Sequence, residues 1–326
     1  MEQRHLGRTG LRVSRLGLGT LTWGRDTGEV DAADQLKAFW EAGGTLVDTA
    51  DVYGDGGAEY LLGRLVEDLV PRSDLVIATK AGSVPDPHHR FDGSRGHLLA
   101  ALDASLQRLG TDHVDLWQVH AYDATTPLDE TLQALDLAVS SGRARYVGVS
   151  NFCGWQLAKA ATWQQAVPTR TPLASTQMEY SLLQRGIERE VLPAALDLGV
   201  GLLPSSPLGR GVLTGKYRHG TPQDSRGGSE DMAPFVAPYL DETARLIVDA
   251  LAIAADGLAA SPLQVALAWV RDRPGVAAPI VGARNARQLA AALSVETLSL
   301  PDEICQALDD VSAPVHRYPD HDWSTL

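Results

Sequence analysis

The sequence is short of cysteine, of positive charge and of long apolar runs, and each shortage excludes something. Its two cysteines, Cys153 and Cys305, stand far apart among 326 residues. They give no disulfide framework and fit a reducing compartment. Lys and Arg number 28 against 41 Asp and Glu, a formal net charge of −13. An acidic surface speaks against nucleic acid as a partner. It leaves room for a phosphorylated ligand held by a few local cations. No apolar run approaches the roughly 18 residues needed to cross a bilayer. The opening "MEQRHLGRTGLRVSRLG" lacks the apolar segment of a signal peptide. The expectation is a cytoplasmic protein with no membrane partner. Low-complexity tracts are absent too.

Several nucleotide and metal motifs fail on inspection. "GLGTLT" (17–22) carries Thr22 where a dinucleotide fingerprint needs its third glycine. "RGVLTGKY" has Arg210 and Tyr217 at two positions that a phosphate loop reserves for Gly and Ser/Thr. His88 and His89 are adjacent and lack a supporting thiol or carboxylate framework, so no metal is expected.

What is present is a regular alternation. Eight strand-like runs, "RLGLGT" (15–20), "TLVDTA" (45–50), "DLVIATK" (74–80), "HVDLWQVH" (113–120), "ARYVGVSN" (144–151), "PLASTQMEY" (172–180), "VGLLPSSP" (200–207) and "GVAAPIVG" (275–282), are each followed by a helix-like stretch. The runs are apolar on both faces, as strands of a buried parallel sheet are. The helices repeat at i, i+3, i+4; Leu99, Leu102, Leu106 and Leu109 form one such stripe. Eight units predict an α/β fold, a (β/α)8 TIM barrel, as one domain over 1–326. A doubly wound sheet is the competitor, and it would need the phosphate loop that is missing. Residues before "RLGLGT" read as a hairpin closing the barrel bottom. "ASPLQVALAWVRDRP" (260–274) and "LPDEICQALDDV" (300–311) read as extra C-terminal helices, the first with Ser261 and Pro262 at its start. Residues 216–239 read as a long loop, and the tail 313–326, with Tyr318 and Trp323, as a surface covering.

In such a barrel function sits where strands end. The exits give Gly19 and Thr20; Asp48 with Tyr53; Lys80; His120; Ser150 and Asn151; Gln177; Ser205 and Ser206; and Gly282 with Arg284. Singly, each has an ordinary reading. Asp48 caps a turn, Tyr53 is a surface aromatic, Lys80 ends a strand with its amine in water, and His120 is a core-edge group. Their coincidence at three consecutive exits points to chemistry. Tyrosine is a weak acid, with an unperturbed pKa of about 10. A nearby ammonium lowers that value. Lys80 is the expected ammonium, Asp48 its anchor, and His120 the group that orients a substrate oxygen. A phenol so tuned donates a proton to a carbonyl as a hydride arrives at its carbon. A hydride donor is therefore implied.

These motifs together resemble the aldo-keto reductase family: "DTADVYG", "ATK", "DLWQVH", "GVSNF", "QMEYS" and "SPLGRGVLTGKY". The resemblance covers nearly the whole chain. It implies NADPH across the C-terminal face of the barrel, Tyr53 as general acid, and Asp48, Lys80 and His120 completing a tetrad. Ser150, Asn151 and Gln177 match the carboxamide-holding positions, and Asp48 stands beside them. Gly19, Thr20 and Leu21 match the first-strand exit beside the nicotinamide ribose. Ser206, Pro207, Leu208 and Arg210 match the pyrophosphate loop. Gly282, Arg284 and Gln288 match the adenosine side, where a guanidinium suits a 2′-phosphate. Ser205 stands where the family usually carries a stacking Tyr or Trp, and Ala292 where it often carries Asn. The implied substrate is a small carbonyl compound, walled by Trp23, Tyr53, His120 and Tyr122, the 216–239 loop and the C-terminal tail. Two alternatives remain at this point: a regulatory subunit that binds NADPH without turnover, and an aldolase using Lys80 as a Schiff base.

Overall fold

A computed structural model describes residues 1–86, 88–230 and 232–314. The expected tail with Tyr318 and Trp323 lies outside the described residues. Two short antiparallel strands, β1 (Gln3–His5) and β2 (Arg12–Ser14), open the chain. Eight parallel strands follow: β3 (Gly17–Gly19), β4 (Leu46–Asp48), β5 (Val76–Ala81), β6 (Val114–Val119), β7 (Ala144–Ser150), β8 (Leu173–Glu179), β9 (Gly201–Ser205) and β10 (Ile280–Gly282). Each lies beside its sequence neighbour, with β10 back against β3. A single bridge, Leu202 to Val276, joins β9 to the segment entering β10. A doubly wound sheet would reverse direction partway along this order. This one does not, so it is the barrel.

Helices α1 (Glu29–Glu41), α2 (Gly57–Leu65), α3 (Arg95–Leu109), α4 (Leu128–Ser140), α5 (Gly154–Gln165) and α6 (Val191–Leu198) follow β3 to β8 in turn. After β9 come the single-turn α7 (Ala233–Val236), α8 (Glu242–Gly257) and α9 (Pro262–Arg271). Then α10 (Ala286–Leu293) follows β10, and α11 (Asp302–Val311) is last. Ser261 caps α9 as expected, accepting from the Gln264 amide, with Pro262 in the first turn. The α3 stripe runs through Leu98, Leu102, Leu106 and Leu109, so Leu98 replaces the expected Leu99. Helix α6 starts later than the sequence suggests, after a separate turn at Gly186–Glu188. The 216–239 segment is not structureless: it holds turns at Arg226–Gly228 and Ala237–Tyr239 around α7. Among the described residues no single helix is long and apolar enough to cross a membrane. Helices α8 and α9 pass only as a pair, and they meet at 99°.

Alternation along the strands builds the site. Leu46, Ala78, Leu116, Leu203 and Ile280 point into the barrel and form one buried cluster with Leu6 and Val13 of the hairpin. This is the plugged bottom, where each fully buried Leu or Ile is worth roughly 1.5–3 kcal/mol. Two residues further along, the same inward direction reaches Asp48, Lys80, Gln118, Ser205 and Gly282. Intervening residues such as Val47, Ile77 and Trp117 face the helices. The pairing of β7 with β8 shifts by one residue at Gly148. There Ser175 turns inward and donates to Gln118 at 3.0 Å. A Cβ on Gly148 would stand 2.1 Å from the Ser175 hydroxyl, so no side chain fits.

Candidate active site

The exits of β4 and β5 bring an acid, an amine and a phenol together. The Lys80 ammonium donates to Asp48 Oδ2 at 2.8 Å, to the Thr49 carbonyl at 2.7 Å and to the Tyr53 hydroxyl at 3.5 Å. Lys80 is 0 % exposed and Asp48 2 %. The second Asp48 oxygen accepts from Gln177 Nε2 at 2.8 Å. Thr20 also reaches this exit, its amide donating to the Asp48 carbonyl at 3.0 Å. Tyr53 sits on the turn after β4, with Lys80 Nζ 5.1 Å from its ring centre. His120, at the end of β6, meets Tyr53 edge-on with ring centres 6.0 Å apart.

Charge in this cluster follows from burial. Withdrawal from water pushes the Tyr53 phenol up; Lys80 pulls it down and Asp48 pushes it up again. The net shift is upward, opposite to the lowering expected from Lys80 alone. Lys80 itself is raised: burial acts against its charge, but Asp48 and Tyr53 outweigh it. Burial, helped by the Lys80 charge, drives His120 down to about 3. Its imidazole is therefore neutral at ordinary pH, and its Nδ1 is buried without a partner among the described residues.

The exits of β7 and β8 join directly. Asn151 donates to the His120 carbonyl at 3.0 Å and to the Ser150 hydroxyl at 3.1 Å. Ser150 in turn donates to the Gln177 carbonyl at 3.1 Å. Among the described residues no donor reaches Asn151 Oδ1 or Gln177 Oε1. Asn151, Ser206 and Arg210 have positive φ (55°, 49° and 59°). Such backbone costs of order 1–3 kcal/mol per residue and tends to gather at functional sites.

Beyond these exits the structure separates the residues suggested by sequence. Arg210 is committed: its guanidinium is bidentate to Glu179 at 3.0 and 2.7 Å, donates to the Phe235 carbonyl and lies over the Phe235 ring. Ser205, Pro207 and Leu208 begin the same loop, tied by Leu213 N–H donating to the Leu208 carbonyl. Ala292 is 1 % exposed and packs with Leu16, Leu267 and Val281. Gln288 accepts the Arg284 amide at 3.0 Å, just after Gly282 at the end of β10. Two cations missed in the sequence belong with Arg284. Lys216 and Arg226 are both held below their usual range, by burial and then by neighbouring positive charge that includes Arg284. Among the described residues no carboxylate lies within ion-pair distance of these three. The cations of "GKYRHGTPQDSR" were the available signal, and reading the stretch as plain loop concealed them.

Gly19 pairs with Asp48 across β3 and β4, and a Cβ there would meet Ile280 at 2.8 Å. Leu21 is 37 % exposed beside it. Trp23 departs from its expected place on a pocket wall. It is fully buried, donates its indole N–H to Gln35 at 3.2 Å, and belongs to the core. A tight turn from Thr20 to Trp23 folds the ring inward. Tyr122 does stand near the exits, in edge contact with Phe152 and with the exposed Trp155. A groove of about 370 Å³ lies alongside, lined by Asn151, Cys153, Met178, Glu179 and Gln184; it reaches the clustered residues only at Asn151. Both cysteines are free thiols.

A buried acid, an ammonium, a protonated phenol and a neutral imidazole stand together at one end of a parallel barrel. The aldo/keto reductase family model matches residues 15–313. The chain belongs to the aldo/keto reductase family. It is 38 % identical over 95 % of its length, and 96 % of the relative's, to the uncharacterized oxidoreductase YrpG of Bacillus subtilis. It is 36 % identical to the L-glyceraldehyde 3-phosphate reductase of Escherichia coli K12, covering 89 % of this chain and 86 % of that one. It is equally 36 % identical to a probable voltage-gated potassium channel subunit beta of Oryza sativa subsp. japonica, over 98 % of each. Oxidoreductases of this family generally use NAD(P)H.

Proposed function

We propose that this protein reduces aldehyde or ketone carbonyls to alcohols with NADPH, Tyr53 acting as the general acid. The reading rests chiefly on the Lys80 ammonium lying 2.8 Å from Asp48 and 3.5 Å from the Tyr53 hydroxyl. Whether the residues fit the cofactor can be tested on their spare valences. Asn151 and Gln177 each keep an amide oxygen clear of protein donors, and a carboxamide offers two N–H groups to such oxygens. Among the described residues Lys216, Arg226 and Arg284 make no ion pair with a carboxylate, which suits phosphate. The residues therefore fit: Ser150, Asn151 and Gln177 would hold the amide end, and Arg284 with Lys216 and Arg226 the phosphate end. When bound, NADPH supplies a hydride to the carbonyl carbon.

The chain's own residues do the rest. Burial keeps Tyr53 protonated, so it can give its proton to the carbonyl oxygen. Lys80 then faces the phenolate left behind, and its charge stabilises that anion. Asp48 holds the ammonium in place and is itself held by Gln177. Neutral His120 offers a ring nitrogen to the substrate oxygen without placing a second cation beside Lys80. With Arg210 committed to Glu179, that loop has its backbone left to offer a pyrophosphate. An aldolase reading gives Asn151, Gln177 and Arg284 no task. Oxidation of NADPH by purified protein across a panel of aldehydes and ketones tests the proposal. Turnover that vanishes in Tyr53→Phe supports it. Binding without turnover by any carbonyl would instead favour a regulatory subunit, as the rice relative's name suggests.

A further inference from the structure

The stretch "DTADVYG" holds a second carboxylate that the reduction does not use. Asp51 lies two residues before Tyr53, on the same turn. Its amide donates to the Lys80 carbonyl at 3.1 Å, so its position is tied to the strand that carries the ammonium. Its Oδ1 is buried and has no hydrogen-bond partner among the described residues. Glu59 on α2, whose charge reaches Asp51, is fully buried. Glu59 spends one oxygen on the Thr79 hydroxyl and the other on Arg108 of α3, at 2.7 Å. Among the described residues no hydrogen bond joins Glu59 to Asp51 Oδ1. The Asp51 carboxyl thus has the charges of Glu59 and Lys80 and the Tyr53 phenol as its electrostatic neighbours.

A buried carboxylate with an open oxygen costs far more as an anion than as an acid. Burial first, then the Glu59 charge, moves Asp51 up to about 7, against the opposing pull of Arg108, the Val52 amide and Lys80. Its charge also reaches Tyr53, where an anionic Asp51 makes the phenol hold its proton harder. The other groups facing this turn are Asp48, Lys80 and His120. His120 titrates near 3 and Lys80 is displaced upward, so neither changes charge near neutrality.

We propose that Asp51 is a positioning residue for proton transfer: its carboxyl, on the turn that carries Tyr53 and tied through its amide to the Lys80 carbonyl, gains or loses a proton and so sets how firmly Tyr53 holds its own. The proposal rests on the reading of Tyr53 as general acid. Protonated Asp51 leaves Tyr53 the stronger acid, so reduction is faster on the acid side. The phenomenon needs no direct contact between Asp51 and substrate.

The test combines a rate profile with two resonances that need no turnover. In wild type, kcat/KM for carbonyl reduction should fall by roughly two- to tenfold between about pH 6 and pH 8. In Asp51→Asn, which mimics the protonated acid, that fall should disappear while the acid-side rate persists. In protein labelled with carbon-13 aspartate, the Asp51 carboxyl signal, assigned by its loss in Asp51→Asn, should titrate near neutrality. The Tyr53 ring signal should titrate at lower pH in Asp51→Asn than in wild type. An Asp51 signal titrating in the ordinary carboxylate range, a rate profile unchanged by Asp51→Asn, or an unmoved Tyr53 signal would overturn the proposal. If no carbonyl is reduced, the general-acid reading fails on that result, and the two resonances still decide whether Asp51 governs the Tyr53 proton.

Discussion

Replacing Lys80 by Met probes the buried ion pair at the centre of the site. The methionine fills much the same space and removes the charge. It leaves Asp48, 2 % exposed, with the Gln177 amide as its remaining side-chain donor. It also leaves the Thr49 carbonyl without the 2.7 Å bond from Lys80. Breaking a buried pair by deleting one partner costs about 3–5 kcal/mol, because the survivor keeps its charge without compensation. Lys80→Met should therefore lose about that much stability in urea unfolding. Asp48→Leu should lose a comparable amount, stranding the ammonium. The double variant Lys80→Met/Asp48→Leu strands neither charge. Its loss should fall short of the sum of the single losses by roughly 1–3 kcal/mol or more. The pH dependence has a fixed sign. Lys80 is raised above its usual 10.5 in the folded chain. Its contribution is thus complete below that value and lost as pH climbs through the folded pKa. On the alkaline side, stability curves of wild type and Lys80→Met should converge only in strong alkali. Strictly additive single losses, or a gap between the curves that closes near neutrality, would refute the buried-pair account.

Tyr53→Phe should cut turnover by roughly 10²–10⁴-fold while NADPH binding, followed by fluorescence titration, stays within about twofold of wild type. Arg284→Ala should weaken NADPH by about 1.5–3 kcal/mol and leave NADH nearly unchanged, as paired titrations would show; equal losses would remove the 2′-phosphate from Arg284. Gly148→Ala places a methyl 2.1 Å from the Ser175 hydroxyl and 2.8 Å from the Ser175 carbonyl. It should lower stability by about 1–3 kcal/mol in thermal unfolding, and an unchanged midpoint would mean that the β7–β8 shift is not needed. His120 is half-buried and neutral, with its pKa at about 3 in the folded chain. Folding should weaken as pH falls from its ordinary value of about 6.5 toward 3, and His120→Gln should flatten that part of the acid limb.

The strands and most helices were legible because buried parallel strands carry apolar residues on both faces and their helices carry a 3.6-residue stripe. The errors occur where another force intervenes. Leu98, not Leu99, anchors α3, because a four-residue stripe does not fix the rotation of a helix to within one position. Helix α2 stops at Leu65, four residues before the apolar pattern does. Val66 turns extended there and pairs with Val70. The turns inside 216–239 depend on long-range anchors, Arg210 to Phe235 and Tyr217 to Gly227, which no local pattern reveals.

The site was legible for a geometric reason that also marks its boundary. Strand residues two apart share a direction, so a change from Leu, Ala or Ile to Asp, Lys or Ser along one face of one strand can be read in sequence. Leu46 to Asp48, Ala78 to Lys80 and Leu203 to Ser205 are three cases. Side chains from loops obey no such period. Trp23 was expected on a pocket wall and is in the core, because a turn between Thr20 and Trp23 rotates it inward. Arg210 was expected on phosphate and instead grips Glu179 on the neighbouring exit. Asp51 carries no pattern signal, because its unpaired oxygen shows only in the folded chain, where Glu59 is bonded to Thr79 and Arg108. A strand thus announces the groups it points at the mouth of the barrel, while their partners from the helices behind it are visible only in three dimensions.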